Sequence, residues 1–306
     1  MMKRISVIIA FILGIVSGMS ASTGWPPYDT GVEPECTADS VDQAQETTMT
    51  FKRPVSQIYM LGIGGSSLLD TYLSPLRYHG IAMDLSGQWS KMLPWMRNSW
   101  VMRFDGGIGL GSAMNPSRTA RMLEADARFA WGMAWSHRFP CKLRVTAGMS
   151  ADIGAGILYL SRNSNNPASV KARAGVSLTA SASFPFKLGR VPVLVSDEVK
   201  LPSLGLFFSP EYGETYYEIW LGNHKGLAHC GWWGNNFGID NLLAFDLDIG
   251  PSALRLGYRY RLDSSWVCGL NTQLHRHLFV IGWIPHGIGL KRTRPSEKSI
   301  SINSLY

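Results

Sequence analysis

A chain of 306 residues with 17% charged side chains, against about 25% in soluble domains, and with 32 glycines, 11 tryptophans and 11 tyrosines, is poor in helix formers. It is rich in residues that suit sheets, turns and membrane interfaces. The formal net charge is +7, but no run of Lys and Arg interleaved with aromatics concentrates it, which argues against nucleic acid as a partner.

At the N-terminus Lys3 and Arg4 precede an apolar stretch from Ile5 to Val16, and small residues follow. This is the layout of a cleavable export signal over residues 1–22, cut near Ser20 to Ser22. The apolar stretch is short of the roughly 20 residues that a spanning helix needs, and no Cys stands at the cut, which argues against a lipoprotein. Losing Lys3 and Arg4 subtracts two from +7 and leaves +5 on the mature chain. Residues 23–54 are polar, with Pro26, Pro27 and Pro34 and the acids Glu33, Glu35, Asp39, Asp42 and Glu46. They read as a flexible extension.

From residue 55 to 285 the pattern has period two, which predicts strands with two unlike faces. Leu123, Ala125, Ala127, Phe129, Trp131, Met133 and Trp135 alternate with Glu124, Asp126, Arg128, Gly132 and Ser136. Leu143, Val145, Ala147, Met149, Ile153 and Ile157 alternate with Lys142, Arg144, Thr146, Ser150 and Asp152, and Val170 to Phe184 repeats the device against Lys171 and Arg173. Similar patterns run through 76–90, 97–111, 234–250, 252–262 and 266–284, with weaker ones at 55–65, 190–201 and 212–221. Strands of 12 or more residues exceed the globular norm of about 5 or 6 and suit a tilted membrane crossing. Tryptophans gather near strand ends, as interfacial girdles require. The polar faces carry full charges that a dry core would hold only at large desolvation cost. The fold expected is therefore all-β, an antiparallel transmembrane β-barrel. Eleven candidate strands and the even-number rule for bacterial barrels give 12 strands, with 10 as the alternative, and a polar C-terminal tail over 286–306.

LDTYLSPLRYHG (Leu69 to Gly80), SPEYGETYYEIW (Ser209 to Trp220) and RHLFVIGW (Arg276 to Trp283) resemble an uncharacterised family of outer-membrane β-barrel proteins from Bacteroidetes, DTYLSPL being the most specific piece. The resemblance implies location and architecture and no activity. The basic tail from Lys291 to Tyr306 departs from barrels that end on their closing strand.

With apolar faces toward lipid, the opposite faces line the lumen. The expected inward bases are Arg103, Arg128, Lys142, Arg144, Lys171, Arg173, Arg255, Arg259 and Arg261. The expected inward acids are Asp84, Asp105, Glu124, Asp126, Asp152, Asp240, Asp246 and Asp248. Nine against eight favours ion-paired filling over a strongly selective pore. A hairpin turning at Gly250 and Pro251 sets Asp246 opposite Arg255 and Asp240 opposite Arg261, as cross-strand ion pairs. His275 and His277 share a face with Asn271 and Gln273 and read as a polar inward stripe; two imidazoles without a nearby carboxylate make a weak metal signal.

Outer-membrane lipid hydrolases place His and Ser two apart on one strand face. None of His79, His137, His224, His229, His275, His277 and His286 has such a Ser, so no catalytic residues are assigned and an enzyme ranks last. LGIGGSS (61–67) and GGIGLGS (106–112) lack the Lys-Ser/Thr of a phosphate loop and read as small strand faces. Cys36, Cys141, Cys230 and Cys268 form no CxxC pair, and their pairing stays open. The sequence implies no cofactor and no metal. Asp70, Tyr72, Pro75 and Tyr78 interrupt the sheet pattern and mark a segment at one mouth. The readings left are a small channel or ligand-binding barrel for small solutes, and a plugged structural or assembly component of an envelope complex. The partners are outer-membrane lipid, the barrel-assembly machinery during insertion, and small solutes or an envelope protein.

Overall fold

Alternating side chains give every strand an apolar and a polar face, and closing such strands into a ring sorts the faces into outside and inside. The structure, a computed structural model, describes residues 55–93, 99–164, 166–188, 191–222, 225–249 and 252–285. The export signal, the extension, the turn at Gly250 and Pro251, and the C-terminal tail lie outside the described residues.

The strands are β1 (Val55–Asp70), β2 (Ser74–Leu93), β3 (Trp100–Met114), β4 (Arg121–Arg138), β5 (Arg144–Leu160), β6 (Ala168–Leu188), β7 (Val191–Phe208), β8 (Ala228–Trp232), β9 (Asn236–Asp248), β10 (Ser252–Val267) and β11 (Leu270–Pro285), with one helical turn, α1 (Tyr216–Trp220), between β7 and β8. Around the wall β1 to β7 follow in order, then β9, β10 and β11, and β11 pairs back onto β1. All neighbours are antiparallel, and the barrel closes with ten strands.

Ten, the smaller expected number, is therefore the count, and the twelve-strand expectation is corrected. The weak candidate at 212–221 is not a strand: it holds α1, begun by a capping box in which Thr215 and Glu218 bond reciprocally. The short β8 pairs only with Leu204–Phe208 of β7 and adds no place to the ring.

One end of the barrel carries the β1–β2 turn (71–73) and the longest connection, between β7 and β8; this is the loop end. The other, where β1 begins and β11 finishes, is the terminal end. Outside, Leu61, Ile63, Leu85, Ile108, Leu110, Ile153, Phe279 and Ile281 are large, apolar and exposed. Near the terminal end Tyr59 packs against Trp89 and Trp283, at 6.0 and 6.2 Å between ring centroids, while Trp131 and Trp135 stand exposed beside them. An apolar exterior bounded by rings of this kind is stable against hydrocarbon and not against water. This is an outer-membrane-type barrel. Among the described residues no helix is long and apolar enough to cross a membrane.

Candidate functional site

The lumen holds the unusual chemistry, and the small inner face of β3 makes room for it. GGIGLGS alternates Gly107, Gly109 and Gly111 inward with Ile108 and Leu110 outward. A Cβ on Gly107 would sit 2.8 Å from Nη2 of Arg128, and one on Gly111 would sit 2.9 Å from Oε2 of Glu124. Missing side chains on one strand thus accommodate long charged ones from its neighbours.

At mid-height five arginines meet five carboxylates. Arg128 donates to Asp84 at 2.5 Å and to Asp126 at 3.2 Å. Arg259 grips Asp240 with Nε at 2.7 Å and Nη2 at 2.5 Å and reaches Asp84 at 3.4 Å. Asp126 also takes Arg261 at 3.3 Å, and Arg276, which bonds Glu124 at 2.6 Å. Asp263 joins Arg261 at 3.0 Å to Arg173 at 2.6 Å. Strands β4 and β10 stand opposite each other in the ring, so the Asp126–Arg261 contact crosses the lumen. Each guanidinium replaces lost water with charge-assisted bonds, which a low-dielectric interior requires of such a lattice; Nη1 of Arg276 is buried without a hydrogen-bond partner.

Two further sets of contacts span the barrel. Toward the loop end Lys171 of β6 reaches the fully buried Asp70 of β1 at 2.9 Å and Thr272 at 3.0 Å. Toward the terminal end Arg103 of β3 bonds Asp105 at 2.7 Å and also Glu198 of β7, to which Gln88 donates at 3.3 Å. Nearby, Arg255 clasps Asp246 through two bonds of 2.6 and 2.8 Å, and Lys200 and Ser177 both bond Asp152.

The loop end is stopped differently. Leu68, Leu73, Tyr78, Met122, Leu158 and Leu160 form a buried apolar cluster inside the wall, into which the β1–β2 turn inserts Leu73. Next to it Tyr72 donates its hydroxyl hydrogen to the Glu214 carbonyl at 2.8 Å. Its ring meets Tyr216 of α1 edge-on at 5.9 Å, and Tyr216 accepts the Val170 N–H at 2.6 Å. Burial, with Tyr216 beside it, pushes the Tyr72 phenol up to about 12. Of the mouth segment, Asp70, Tyr72 and Tyr78 belong to this stopper; Pro75 is exposed at the start of β2. The terminal end keeps a cavity of about 120 Å³ whose lining includes Ser90, Ser136, Thr146, Ser183, Arg103 and Arg144, and another of about 100 Å³ lies on the loop side of the lattice beside Lys171, Thr272 and Arg276.

A family model matches residues 36–294. The chain belongs to the family "Protein of unknown function (DUF3316)". Among solved structures this DUF3316 barrel is similar to the transport unit of the autotransporter AIDA-I from Escherichia coli, at 7% identity and TM-score 0.44 over 80% of this chain and 91% of that one. It is also similar to the beta domain of the Bordetella autotransporter BrkA, at 8% identity and TM-score 0.41 over 76% and 99%. A third likeness is to the outer membrane protease OmpT from Escherichia coli, at 8% identity and TM-score 0.42 over 77% and 97%. No curated protein matches the chain by sequence.

In the DUF3316 barrel the β9–β10 register places Arg255 opposite Asp246 and Arg261 opposite Asp240, as the sequence pattern requires. The second ion pair runs diagonally instead: Asp240 takes Arg259, and Arg261 turns to Asp126 and Asp263. Arg144 and Asp248 share the inward parity of their strands, close to the terminal end. Lys142 does not line the lumen; it is exposed in the β4–β5 turn at φ 68°, donating its N–H to the Phe139 carbonyl.

His275 and His277 are also corrected. They share the outer parity of Phe279, Ile281 and Trp283, while Arg276, Leu278 and Val280 are buried inside. The inward charges that sequence reasoning missed are Arg276, Asp263, Glu198 and Lys200. Arg276 had a signal, a full charge midway between two histidines that marked the opposite face of β11. Cys268 Sγ lies 4.0 Å from Nε2 of His229, but that nitrogen already faces the Ser209 carbonyl at 3.0 Å, which ties the imidazole to backbone.

Proposed function

We propose that this chain is exported to a bacterial outer membrane, that of a Bacteroidetes cell on the sequence resemblance, and serves there as a closed barrel: a structural or assembly component of the envelope rather than a conducting pore. The observation that carries this reading is the neutral lattice of five arginines and five carboxylates joining opposite walls. The apolar stopper above it adds a second barrier of different chemistry. A wide pore needs a water-filled bore; here ion pairs of both signs bridge the space.

Refolded barrel in a planar bilayer tests the reading. The expected result is a silent membrane carrying protein that resists denaturation until heated. Reproducible single-channel steps from the unaltered chain would overturn it. The export step predicts a mature N-terminus just after residues 20–22 in protein recovered from the outer-membrane fraction.

A second reading draws on the hydroxyl-lined cavity at the terminal end, which suits a small polar solute held without passage. Equilibrium binding of small sugars and anions to a non-conducting barrel would favour it over a purely structural role.

A further inference from the structure

The outer wall departs from a greasy surface where Asp197 of β7 meets Asn241 of β9 and, over a larger area, at the loop end of β2, β1 and β11 with the adjoining face of β10. On β1 the outward positions there are Gly65 and Ser67, nearly devoid of side chain. On β2 they are Arg77 and His79, and on β11 they are His275 and His277. The registers bring these together: Ser67 lies between His79 and His275, and Gly65 between Ile81 and His277. The result is a groove with a floor of glycine and serine and walls one strand away on each side, about 10 Å apart.

Its polar atoms are held in place. Arg77 donates to Gln273 Oε1 at 2.5 Å and to Ser67 Oγ at 3.3 Å, which holds the guanidinium across the floor from β2 to β11. Tyr258 and Tyr260 on β10 engage Nδ1 of His277 and His275 at 2.6 and 3.1 Å, so each ring directs Nε2 away from its tyrosine. The outward positions of these four strands carry no carboxylate, whereas every acid on them (Asp70, Asp84 and Asp263) is turned inward and paired. Immediately toward the terminal end, Ile63, Met83, Phe279 and Ile281 are exposed and apolar. Across the barrel, β5 to β7 stay apolar at the same outward positions, with Ile157, Tyr159, Leu204 and Leu206.

We propose that this groove is a binding site for an anionic, phosphate-bearing lipid of the adjacent leaflet. The headgroup phosphate sits over Gly65 and Ser67 between Arg77 and the histidines, and an acyl chain lies along Ile63, Phe279 and Ile281. The forked donors of an arginine match phosphate oxygens. The absence of outward carboxylates leaves the groove with one sign of charge, and its place where apolar wall meets polar rim is the depth of a headgroup. The site rests on the reading that the barrel spans a membrane.

Refolded barrel in zwitterionic detergent, offered phosphatidic acid or phosphatidylcholine of matched chains and followed by native mass spectrometry, tests the proposal. The unaltered protein is expected to retain phosphatidic acid preferentially, Arg77→Gln to lower that retention roughly fivefold, and Gly65→Leu to abolish it by filling the floor. An outward leucine is what the rest of the wall carries, so Gly65→Leu keeps the fold. Equal retention of the two lipids by folded barrel overturns the proposal, and so does competition by millimolar inorganic phosphate as strong as by the lipid. A chain that stays soluble without detergent and does not enter vesicles overturns the membrane reading instead, a result distinct from loss of lipid preference.

Discussion

The charged lattice at mid-height and the apolar stopper at the loop end obstruct one lumen by opposite chemistry. In the lattice each group depends on particular partners: Asp126 is shared by Arg128, Arg261 and Arg276. In the stopper Leu68, Met122 and Leu158 contribute volume, which neighbours of similar size supply equally well. The lattice is therefore specific and brittle, and the stopper is tolerant and stable.

The largest expected effect comes from breaking the lattice at its most connected point. Asp126→Asn removes the carboxylate that three guanidinium groups share and leaves each with one acid, Asp84, Asp263 or Glu124; removing one partner of a buried ion pair costs about 3–5 kcal/mol. Urea unfolding of the barrel in vesicles, followed by tryptophan fluorescence, is expected to show a loss in that range. Next, Leu158→Ala in the stopper, where the side chain is 1% exposed, is expected to cost about 3 kcal/mol from lost burial and the cavity left behind. An equal tolerance of Asp126→Asn and Leu158→Met would break the comparison.

Gly107→Ala is expected to cost about 1–2 kcal/mol, because its Cβ would sit 2.8 Å from an Arg128 nitrogen and push that guanidinium off Asp84; the same unfolding assay reads it. The smallest effect is at the mouth. Tyr72→Phe loses the bond to the Glu214 carbonyl, worth about 1 kcal/mol. It also removes a pH dependence of definite sign. The folded state keeps the Tyr72 proton up to about 12 where an ordinary phenol releases it near 10.0. This stabilisation is therefore whole below pH 10 and fades as pH climbs through the raised value. An alkaline absorbance titration is expected to lose one late-ionising phenol in Tyr72→Phe.

The alternation made most of the wall legible, because a side-chain period of two survives any strand tilt and each inward charge marks its own face. Strand number was less legible. TYYEIW carries β-formers at alternating positions, yet Thr215 three residues before Glu218 is also a helix start, and the local capping box prevailed. On β11 parity was obscure since both faces are apolar from Leu278 to Ile284; the two histidines suggested one polar face when Arg276 between them marked the other. The cross-lumen partners left no trace in sequence. Arg173 and Asp263 stand 90 residues apart and meet only once the ring has closed.

One strand of that ring has a divided edge. Residues Val193–Lys200 of β7 pair with β9 and Leu204–Phe208 pair with β8, and in the gap Pro202 brings no N–H, its carbonyl taken by the Trp233 indole at 2.7 Å. The β1–β2 and β6–β7 ladders each carry one register shift, but neither divides its edge between two partners. Under thermal load the sheet is therefore expected to open early between β7 and β9, which hydrogen exchange of Val193–Lys200 checks.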